Sequence, residues 1–469
     1  MLRIYNSLTR RKENFTPITP GRVNMYVCGI TAYDLCHVGH ARAQIVFDII
    51  YRYLRYAGYD LLYTRNFTDV DDKIIKKAKE TGMSWKDVAD KYIDEFLKDM
   101  TRLGLAKPDK EPRVSEHIDD IVALINKLIE KGYGYVVNGD VYFEVKKFEN
   151  YGKLSGKKID ELIAGARIEV DERKRDPLDF ALWKSSKPGE PSWDSPWGKG
   201  RPGWHIECST MSMKYLGENF DIHGGGMDLI FPHHENENAQ SEAATGKRFA
   251  NYWIHNGIVT INQEKMSKSL GNIFAISEAL ERFDFEAIRL FILGGHYRSP
   301  LDFSEQNIKE SERALERMYT NILILQRGGV QKAESVAKGA VLGNEMLDKF
   351  SEFMNDDFNT PAVIAMIFTA VRALNAKKEK LSETLHAISK IGGVLGIFTS
   401  SPEEFLFRVR KRKTNILGID AIKVELLIKE RESFRSAKEF AKADSIRAKL
   451  QEMGIALEDT RDGTIWRIE

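Results

Sequence analysis

The chain has 469 residues, of which 42% are apolar and 30% charged, and its formal net charge is +1. This composition is typical of a soluble globular protein with three or four domains, in which any phosphate binding must depend on local positive charge. The longest apolar stretch, 287–293, is too short to span a bilayer, and the N-terminal residues do not predict a signal peptide. Three cysteines argue against a disulfide framework, so a cytoplasmic protein is expected.

The N-terminal part of the chain predicts the opening of a parallel sheet. An apolar run that ends at Met25–Gly29 predicts a strand, and the apolar residues at positions 46, 49, 50, 53 and 54 lie on one face of a following helix. A second strand at Leu61–Tyr63 and a second helix at Val70–Lys79 complete a βαβ unit. Helical patterns continue over 86–103 and 115–131.

Between about 133 and 200 the pattern changes to short alternating segments, such as Val141–Val145, among turns rich in Gly, Pro and Trp. We interpret this region as an insertion between two halves of the sheet domain. The sheet is expected to resume at Phe220–Ile222 and again at Ile258–Ile261, which leads into a polar, lysine-containing loop.

The rest of the chain predicts helices. A nearly continuous helical pattern from Ser304 to about residue 398 is typical of a helical bundle. Pro402 and the basic stretch Arg408–Lys413 predict a linker. One charged amphipathic helix is expected over Val424–Met453, followed by a short compact ending around Gly463 and Trp466.

Two short polar segments suit phosphate chemistry. His37-Val38-Gly39-His40 lies between the first strand and the first helix, where glycine allows close approach and the helix N-terminus favours negative charge. Lys265-Met266-Ser267-Lys268-Ser269 places two lysines beside hydroxyls, which suits a phosphate chain whose charge grows during reaction. Either segment alone would more often be a solvated surface feature, but their combination in this order weakens that alternative.

Four dispersed residues form a candidate metal set. Cys28 ends the first strand, Cys208 follows Trp-His-Ile-Glu, and His233 and Glu237 are four residues apart on one helical face. Two thiolates, one imidazole and one carboxylate suit zinc. The spacing is not that of a zinc finger, and from the residues alone two buried free cysteines with a helix-start histidine are the favoured alternative.

Seven segments, including both phosphate segments, carry a wider pattern. They are Met25–Thr31, Cys36–Arg42, Arg65–Lys73, Gly203–Ser209, Phe220–Gly226, Phe231–Glu237 and Lys265–Asn272. Together they resemble the cysteinyl-tRNA synthetases, a family of the class I aminoacyl-tRNA synthetases. The resemblance implies an α/β fold with a Rossmann-like parallel-sheet catalytic domain that contains an insertion, followed by a helical bundle and a small C-terminal domain.

The resemblance also implies a reaction, the ATP-dependent ligation of L-cysteine to tRNA(Cys) through a cysteinyl-adenylate, with ATP and Mg²⁺ as substrate. One zinc ion per chain, held by Cys28, Cys208, His233 and Glu237, would bind the substrate thiolate. Zinc prefers thiolate to hydroxyl, whereas apolar pockets separate such small polar differences by only about a hundredfold. Because four protein ligands are typical of closed structural sites, substrate binding requires a fifth position or a loosely held ligand, for which Glu237 is the candidate.

Further residue roles follow from the resemblance. His37 and His40 are expected to contact the ATP phosphates, and Lys265 and Lys268 the reacting α-phosphate and the pyrophosphate. His234 is expected to be an outer-shell or ATP-side group and Cys36 a small buried residue. For Thr68 and Trp204, packing in the protein core is an equal alternative to a role in binding cysteine. For the glycine run at 224–226, a flexible turn is the alternative to a role in binding adenosine. The assignments are Gly224, Gly225 and Asp228 for adenosine, and Gly29, Thr68 and Trp204 for the cysteine pocket.

The implied organisation has a catalytic domain in two halves with an insertion between them, then a tRNA-binding bundle and an anticodon-side domain. Trp466 and the basic residues 408–413 are candidates for stacking on an anticodon base and for phosphate contacts, although Trp466 equally suits the core of a small domain. A monomer without a membrane partner is expected. The regions are 1–114 and 201–303 (catalytic), 115–200 (insertion), 304–400 (bundle) and 401–469 (C-terminal domain).

Two rival functions are consistent with the same motifs. One is a ligase that transfers activated cysteine to a small amine, which would not need the region after residue 304. The other is a non-catalytic regulator that binds zinc and a nucleotide, which would not exchange pyrophosphate into ATP in the presence of cysteine.

Overall fold

The computed structural model describes residues 1–157, 173–261, 264–265, 274–327, 340–374, 380–460 and 463–468. Strands and helices alternate in the first part of the chain, and the later part is mainly helical. The first part contains β1 (Arg3–Asn6), β2 (Arg11–Asn14), β3 (Arg22–Thr31), α1 (Val38–Tyr56), β4 (Asp60–Thr68), α2 (Asp72–Thr81), α3 (Trp85–Arg102), α4 (Ile118–Glu130), β5 (Gly134–Val137), β6 (Asp140–Phe143), β7 (Phe180–Ser185), β8 (Gly200–Pro202), α5 (Trp204–Leu216), β9 (Phe220–Gly226), α6 (Glu235–Thr245), β10 (Ala250–Asn256), β11 (Val259–Ile261) and β12 (Glu264–Lys265). The later part contains α7 (Ile276–Arg282), α8 (Phe285–Leu293), β13 (Leu301–Phe303), α9 (Glu305–Gln326), α10 (Glu345–Asn355), α11 (Thr360–Leu374), α12 (Leu381–Leu395), α13 (Pro402–Leu417), α14 (Ala421–Ser436), α15 (Phe440–Glu452), β14 (Ile455–Thr460) and β15 (Gly463–Ile468).

The chain divides into two compact units. The first unit comprises Met1–Ser277, His296–Asp302 and Asn355–Phe358, and the second comprises Glu278–Gly295, Phe303–Met354 and Asn359–Glu469.

In the part of the chain that the structure describes, every helix is too short or too polar to cross a lipid bilayer.

A four-stranded parallel sheet in the order β10-β9-β3-β4 forms the centre of the first unit. Strand β3 pairs with both β4 and β9, and Met25, Tyr26 and Val27 are fully buried in it, as expected for a strand covered on both faces. Helix α1 connects β3 to β4, and the predicted apolar positions 46, 49, 50, 53 and 54 are all buried. The predicted βαβ opening and the parallel-sheet fold class are confirmed.

A second, antiparallel sheet in the order β5-β6-β7-β8 follows β4 in the chain. Its strands are short, but Val141 and Trp183 are fully buried and join a core that also contains Ile125 of α4 and Ile206 of α5. This sheet therefore supports helix α5, which carries Cys208.

The parallel sheet resumes differently from the expectation. Phe220–Ile222 begins β9 as predicted, but the next sheet strand is β10, whereas β11 pairs with β12 in a separate three-stranded sheet. The predicted strand is present at Val259–Ile261 and leads towards Lys265, but its assignment to the parallel sheet was wrong. The sheet strand β10 ends in two buried polar residues, His255 and Asn256, which conceal it from a search for apolar runs.

The second unit contains the predicted helical region, but Pro402 begins helix α13 instead of a linker. The Ser401 hydroxyl accepts a hydrogen bond from the Glu404 backbone N–H (3.2 Å), and the Glu404 carboxylate accepts one from the Ser401 N–H (3.0 Å). This capping box, with proline at the first helical position, is a helix start. The linker prediction was therefore wrong.

The C-terminal segment forms a small core of its own. The predicted single helix over Val424–Met453 is two helices, α14 and α15, because the chain turns at Lys438, whose φ is +63°. The hairpin β14–β15 packs with both helices, and Trp466 lies in the core that they share. The core residues are Val424, Leu427, Ile428, Ile446, Leu450, Ile455, Trp466 and Ile468.

Candidate active site and metal centre

A cavity of ≈ 370 Å³ lies at the carboxyl ends of the parallel strands in the first unit. Thr68, Gly226 and Asn256, the last residues of β4, β9 and β10, all line it. This edge of an open parallel sheet is where α/β proteins bind ligands. The predicted site residues that line the cavity are Cys28, Gly29, His37, His40, Thr68, Trp204, Cys208, Asp228 and His233.

His37 and His40 form the start of helix α1. The Nδ1 atom of His37 accepts a hydrogen bond from the Gly39 N–H (3.1 Å), and Nδ1 of His40 accepts one from the His37 N–H (3.3 Å). The two rings stack with centroids 3.8 Å apart. Because each Nδ1 is an acceptor, each neutral ring carries its proton on Nε2 and can donate from there. The helix N-terminus adds positive potential to the same place.

Four elements bring the predicted metal ligands together. Cys28 comes from β3, Cys208 from α5, His233 from the turn Ile230–His234 and Glu237 from α6. All four side chains are buried, and their donor atoms lie within 4.8 Å of one another. His233 Nε2 and Glu237 Oε1 are 2.9 Å apart, as their spacing of four residues predicts.

The donor set fits a zinc ion. The Cys28 and Cys208 sulfurs are 3.7 Å apart, and two thiolates about 2.3 Å from a tetrahedral zinc would be about 3.8 Å apart. Cys28 Sγ also lies 3.4 Å from Glu237 Oε1. Soft sulfur with imidazole and carboxylate is a zinc-type combination, in contrast to the oxygen ligands that magnesium and calcium prefer.

A second grouping shares Cys28 and Glu237 but replaces the other two donors by His223 and His234. His223 Nε2 is 2.8 Å from Glu237 Oε2, and His234 Nε2 is 3.3 Å from Cys28 Sγ. Cys208 and His233 line the cavity, so the first grouping is the one that faces a bound substrate. His223 was missed by the sequence reasoning, although a histidine inside an apolar strand signals a buried side chain that needs a partner.

His234 lies on the cluster side of its helix. It is fully buried, and its Nδ1 is 2.8 Å from Nε2 of His255. The outer-shell part of its prediction agrees with this position, whereas the ATP-side part does not, because its ring packs between Cys28 and the buried strand β10. Cys36 is buried beside the histidine segment, as expected.

Burial and mutual contact shift the pKa values in the cluster. Burial raises the pKa of Cys28. Burial acts in the same direction on Cys208, but the hydrogen bond from Cys28 and the adjacent His233 lower the pKa of Cys208 to about 6. Burial opposes charge on His233 as well, yet Glu237 raises the pKa of His233 to about 10. These shifts favour the anionic forms of Cys208 and Glu237, whereas Cys28 and His233 would each release a proton on binding a metal ion.

The residues predicted for the cysteine pocket surround the cluster. Gly29 lies so close to β4 that a Cβ atom there would be 1.6 Å from the Asn66 carbonyl oxygen, so no larger residue fits. Thr68 is buried and donates to Glu207 (2.9 Å). Trp204 is partly exposed and stacks on the His233 ring with centroids 4.3 Å apart. All three predicted residues line the cavity, which favours the pocket over the core for Trp204.

The three glycines 224–226 do not all line the cavity, in contrast to the predicted contact of Gly224 and Gly225 with adenosine. A Cβ atom at Gly224 would meet Phe47 at 2.2 Å, and one at Gly225 would meet His234 at 2.8 Å, so packing explains the absence of side chains there. Gly226 lines the cavity instead, next to the exposed Asp228. Of the predicted adenosine residues, Asp228 therefore lies at the cavity and the two glycines lie behind its wall.

The lysine loop lies largely outside the described residues. Lys265 ends strand β12, and Lys268 is outside the described part of the chain. Asn66 and Lys73 line the cavity without having been singled out from the sequence. Both belong to the segment Arg65–Lys73, in which Asn66 is a polar residue near the end of the buried strand β4 and Lys73 lies in the first turn of α2, and that was the available signal.

The basic stretch in the second unit is occupied by internal ion pairs. Arg408 contacts Asp284 (2.5 Å), Arg412 contacts Glu312 (2.5 Å) and Lys413 contacts Glu316 (2.8 Å). Arg410 lies over the ring of Trp466, 4.7 Å from its centroid. Trp466 is buried in the C-terminal core, which agrees with the core alternative and not with stacking on a base, and the three paired cations already have acidic partners within the unit.

Comparison with known proteins identifies three regions. Residues 14–313 match the family model "tRNA synthetases class I (C) catalytic domain", residues 349–399 match the DALR domain, and residues 423–467 match the cysteinyl-tRNA ligase anticodon binding domain.

Relatives match over the whole chain. A cysteine–tRNA ligase of Geobacter metallireducens is 54% identical and one of Geobacter sulfurreducens is 53% identical, and each alignment covers 100% of both chains. A Mycobacterium tuberculosis methionyl-tRNA synthetase in complex with methionyl-adenylate shares the fold at 15% identity, with a TM-score of 0.58 over 85% of this chain and 96% of that chain.

Proposed function

This chain belongs to the cysteine–tRNA ligase family of class I tRNA synthetases, and we propose that it joins L-cysteine to tRNA(Cys) through a cysteinyl-adenylate, with zinc selecting the substrate thiolate. As a member of this family it is an enzyme that charges tRNA with cysteine. The proposal concerns the intermediate, the metal and the residues that act.

The observation that best supports the proposal is that a candidate metal site and a candidate phosphate-binding helix start lie in one cavity. The donors Cys28, Cys208 and His233 line it together with the histidines of the α1 start, His37 and His40. A thiol-binding cluster and a phosphate-binding helix start at one sheet edge suit a reaction between cysteine and ATP.

Cys28, Cys208, His233 and Glu237 would hold the zinc ion. A zinc ion there supplies a soft Lewis-acidic site that favours thiolate over hydroxyl, and so separates cysteine from serine. His223 holds the second oxygen of Glu237 (2.8 Å), which leaves the first oxygen for the cluster. Gly29, Thr68 and Trp204 form the surrounding pocket.

ATP is activated chiefly by positioning and electrostatics. The carboxylate of cysteine attacks the α-phosphorus, and pyrophosphate leaves, so negative charge accumulates on the departing phosphates. His37 and His40 donate to those phosphates, and Lys265 and Lys268 neutralise them. Asp228 accepts from the ribose hydroxyls, Gly224 and Gly225 shape the wall behind the nucleotide, and Mg²⁺ accompanies ATP.

The acceptor is tRNA(Cys), whose terminal ribose hydroxyl attacks the adenylate. The match of residues 423–467 to an anticodon binding domain supports tRNA over a small amine. Family membership excludes the non-catalytic regulator, since the family is one of enzymes. On this proposal 1–114 and 201–303 are the catalytic halves, 115–200 the insertion, 304–400 the tRNA-binding bundle and 401–469 the anticodon-side domain of a monomer.

Two assays test the proposal. Purified protein should exchange labelled pyrophosphate into ATP when cysteine is present and not when serine replaces it. With added tRNA(Cys) transcript it should form cysteinyl-tRNA. Exchange without dependence on cysteine, or activated cysteine that is transferred to small amines and not to tRNA, would contradict it.

A further inference from the structure

A fully buried arginine joins helix α1 to two other segments of the first unit. Arg42 follows His40 by two residues, and 0% of its surface is exposed. Its guanidinium donates hydrogen bonds to the backbone carbonyl oxygens of Ile258 (2.8 Å), Tyr297 (3.2 Å) and Ser299. The side chain therefore fixes the position of distant backbone segments relative to the start of α1.

The burial of this charge is costly. Burial lowers the pKa of Arg42 to about 10, so the guanidinium is still charged at neutral pH. Its hydrogen-bond partners in the described part of the chain are neutral carbonyl groups, and an apolar side chain would fill the same space at a lower cost. Arginine adds a planar fork of donors in fixed directions, which can hold separate segments together. The contacts of Arg42 therefore point to positioning.

One of the three carbonyl groups lies on the path to the lysine loop. Ile258 directly precedes strand β11, and Thr260 of this strand pairs with Lys265 of β12. Ile258 lines the cavity, as does His40 on the α1 side. Arg42 therefore connects the strand that leads to the lysine loop with the helix that carries the phosphate-binding histidines.

The other two carbonyl groups reinforce this connection. The Gly257 N–H donates to the Tyr297 carbonyl oxygen (2.8 Å), and the Leu301 N–H donates to the Ile258 carbonyl oxygen (3.0 Å). The carbonyl groups of Tyr297 and Ile258 thus accept both from each other's segment and from Arg42. The guanidinium completes a network in which three segments hold one another.

The chain that follows the lysine loop is attached to the same helix start. The Val38 N–H donates to the Phe274 carbonyl oxygen (3.2 Å), and the Ile276 N–H donates to the Cys36 carbonyl oxygen (2.9 Å). Described residues on both sides of the loop are therefore connected to the start of α1. The later attachment is made by the backbone, whereas the earlier one depends on Arg42 and can be removed by substitution.

We infer that Arg42 is a positioning residue for adenylate formation, which holds the strand that leads to Lys265 in a fixed position relative to His37 and His40. The inference rests on the proposed function, because it takes these three residues as contacts of the ATP phosphates. A displacement of about 1 Å between such groups can slow a reaction about a hundredfold. The partners of Arg42 belong to other segments than the metal ligands, so the binding of zinc and cysteine should not depend on it.

Two substitutions in the full-length zinc-loaded protein test this role. Arg42→Met removes the donors and keeps a long apolar side chain. The rate of adenylate formation in a single turnover should fall about a hundredfold, whereas the zinc content should equal that of wild type and the affinity for cysteine should stay within about twofold. Arg42→Lys keeps the charge without the fork, so its rate should be intermediate, and it serves as the test if Arg42→Met does not fold.

A second buried arginine provides the matched control. Arg289 on α8 is also fully buried, and its guanidinium donates to the Leu395 carbonyl oxygen (2.9 and 3.1 Å) within the second unit. Arg289→Met should lower the midpoint of denaturant unfolding without changing the rate of adenylate formation. A purely structural role of Arg42 would give the same result in Arg42→Met.

The inference is overturned if the Arg42 variants that fold form the adenylate at the wild-type rate, or if zinc content or cysteine affinity falls in step with the rate. It is also overturned if Arg289→Met slows adenylate formation as much as Arg42→Met. Failure of the proposed function is distinguishable, because then the wild-type protein itself shows no cysteine-dependent pyrophosphate exchange.

Discussion

The metal cluster of the first unit and the basic stretch of the second unit both suggest ligand binding from sequence, but their charges are arranged differently. At the cluster, three acidic groups, the thiols of Cys28 and Cys208 and the carboxyl of Glu237, lie within 4.8 Å of one another together with the imidazole of His233. Along helix α13, Arg408, Arg412 and Lys413 each contact a glutamate or aspartate of the same unit.

The difference shows how to distinguish a binding site from a structural network. Acidic groups that outnumber the cations beside them are unfavourable as anions unless a proton or a metal ion neutralises the excess charge. Charges that already have partners gain little from an outside ligand, since binding would first break the existing pairs. Residual charge, and not the number of charged residues, therefore indicates the site.

The largest expected effect is at the cluster. Cys208→Ala removes one anionic donor, so the protein should lose its zinc, with metal affinity reduced by more than about a hundredfold, and cysteine-dependent exchange should become undetectable. Metal analysis of the purified protein, with the exchange assay, checks this. Cys36→Ala is the control, since Cys36 is also a buried free cysteine but lies outside the cluster. A variant without zinc that still activates cysteine would contradict the metal assignment.

The next effect concerns the ATP phosphates, which we propose that His40 and Lys268 contact and on which negative charge accumulates as pyrophosphate leaves. Lys268→Ala and His40→Asn should each slow adenylate formation about a hundredfold with little change in cysteine affinity. The rate of adenylate formation in a single turnover and the affinity for cysteine, measured separately, check this. If cysteine affinity falls while the rate is retained, these residues bind the amino acid and their assigned role is wrong.

The sequence identified the members of the cluster as candidates, and the family resemblance was needed to join them into one site. Cys28, Cys208, His233 and Glu237 have side chains with a narrow chemical use, and His233 and Glu237 are joined by helical spacing. The strand–helix opening was likewise predictable, because its apolar period is local. The resemblance supplied the link between residues 180 positions apart.

The sequence was insufficient where partners are distant and chemically common. The partner of Arg408 is 124 residues away and that of Arg412 is 100 residues away, and nothing local distinguishes a paired arginine from a solvated one. Gly224 and Gly225 were misplaced for the same reason, since Phe47 and His234 explain them only in three dimensions. The partners of His223 and Arg42 are likewise visible only in three dimensions.

The third prediction tests the structural side of the comparison. Arg412 is largely buried against the buried Glu312, so Arg412→Gln should lower the free energy of unfolding by about 2–4 kcal/mol while leaving the KM for tRNA unchanged. Denaturant unfolding and aminoacylation kinetics check this. Lys411→Gln, at an exposed position of the same helix, should leave stability unchanged. A higher KM for tRNA at full stability in Arg412→Gln would restore the phosphate-binding interpretation.

The smallest expected effect is local and depends on pH. In the C-terminal core, the two terminal guanidinium nitrogens of the buried Arg431 contact Asp459, at 2.7 and 2.8 Å. The hydrogen bond from Arg431 outweighs burial and holds the pKa of Asp459 well below its usual range. A lowered folded-state pKa means that this stabilisation is present above the unfolded pKa of about 3.9 and is lost as the pH falls towards the folded-state value.

Asp459→Asn should therefore reduce amide-exchange protection of the hairpin Ile455–Ile468 about tenfold at pH 7, and the difference from wild type should narrow below about pH 4. Comparing the two proteins at each pH cancels the intrinsic exchange rate. Glu458→Gln is the matched control, since its pair with Arg467 is longer (3.4 Å) and more exposed, and protection should change less than about twofold. If the difference in amide-exchange protection between Asp459→Asn and wild type is constant from pH 7 to pH 3, then packing and not charge pairing stabilises the hairpin. The second unit would then no longer exemplify charges satisfied within the chain, and the contrast with the metal cluster would rest on helix α13 alone.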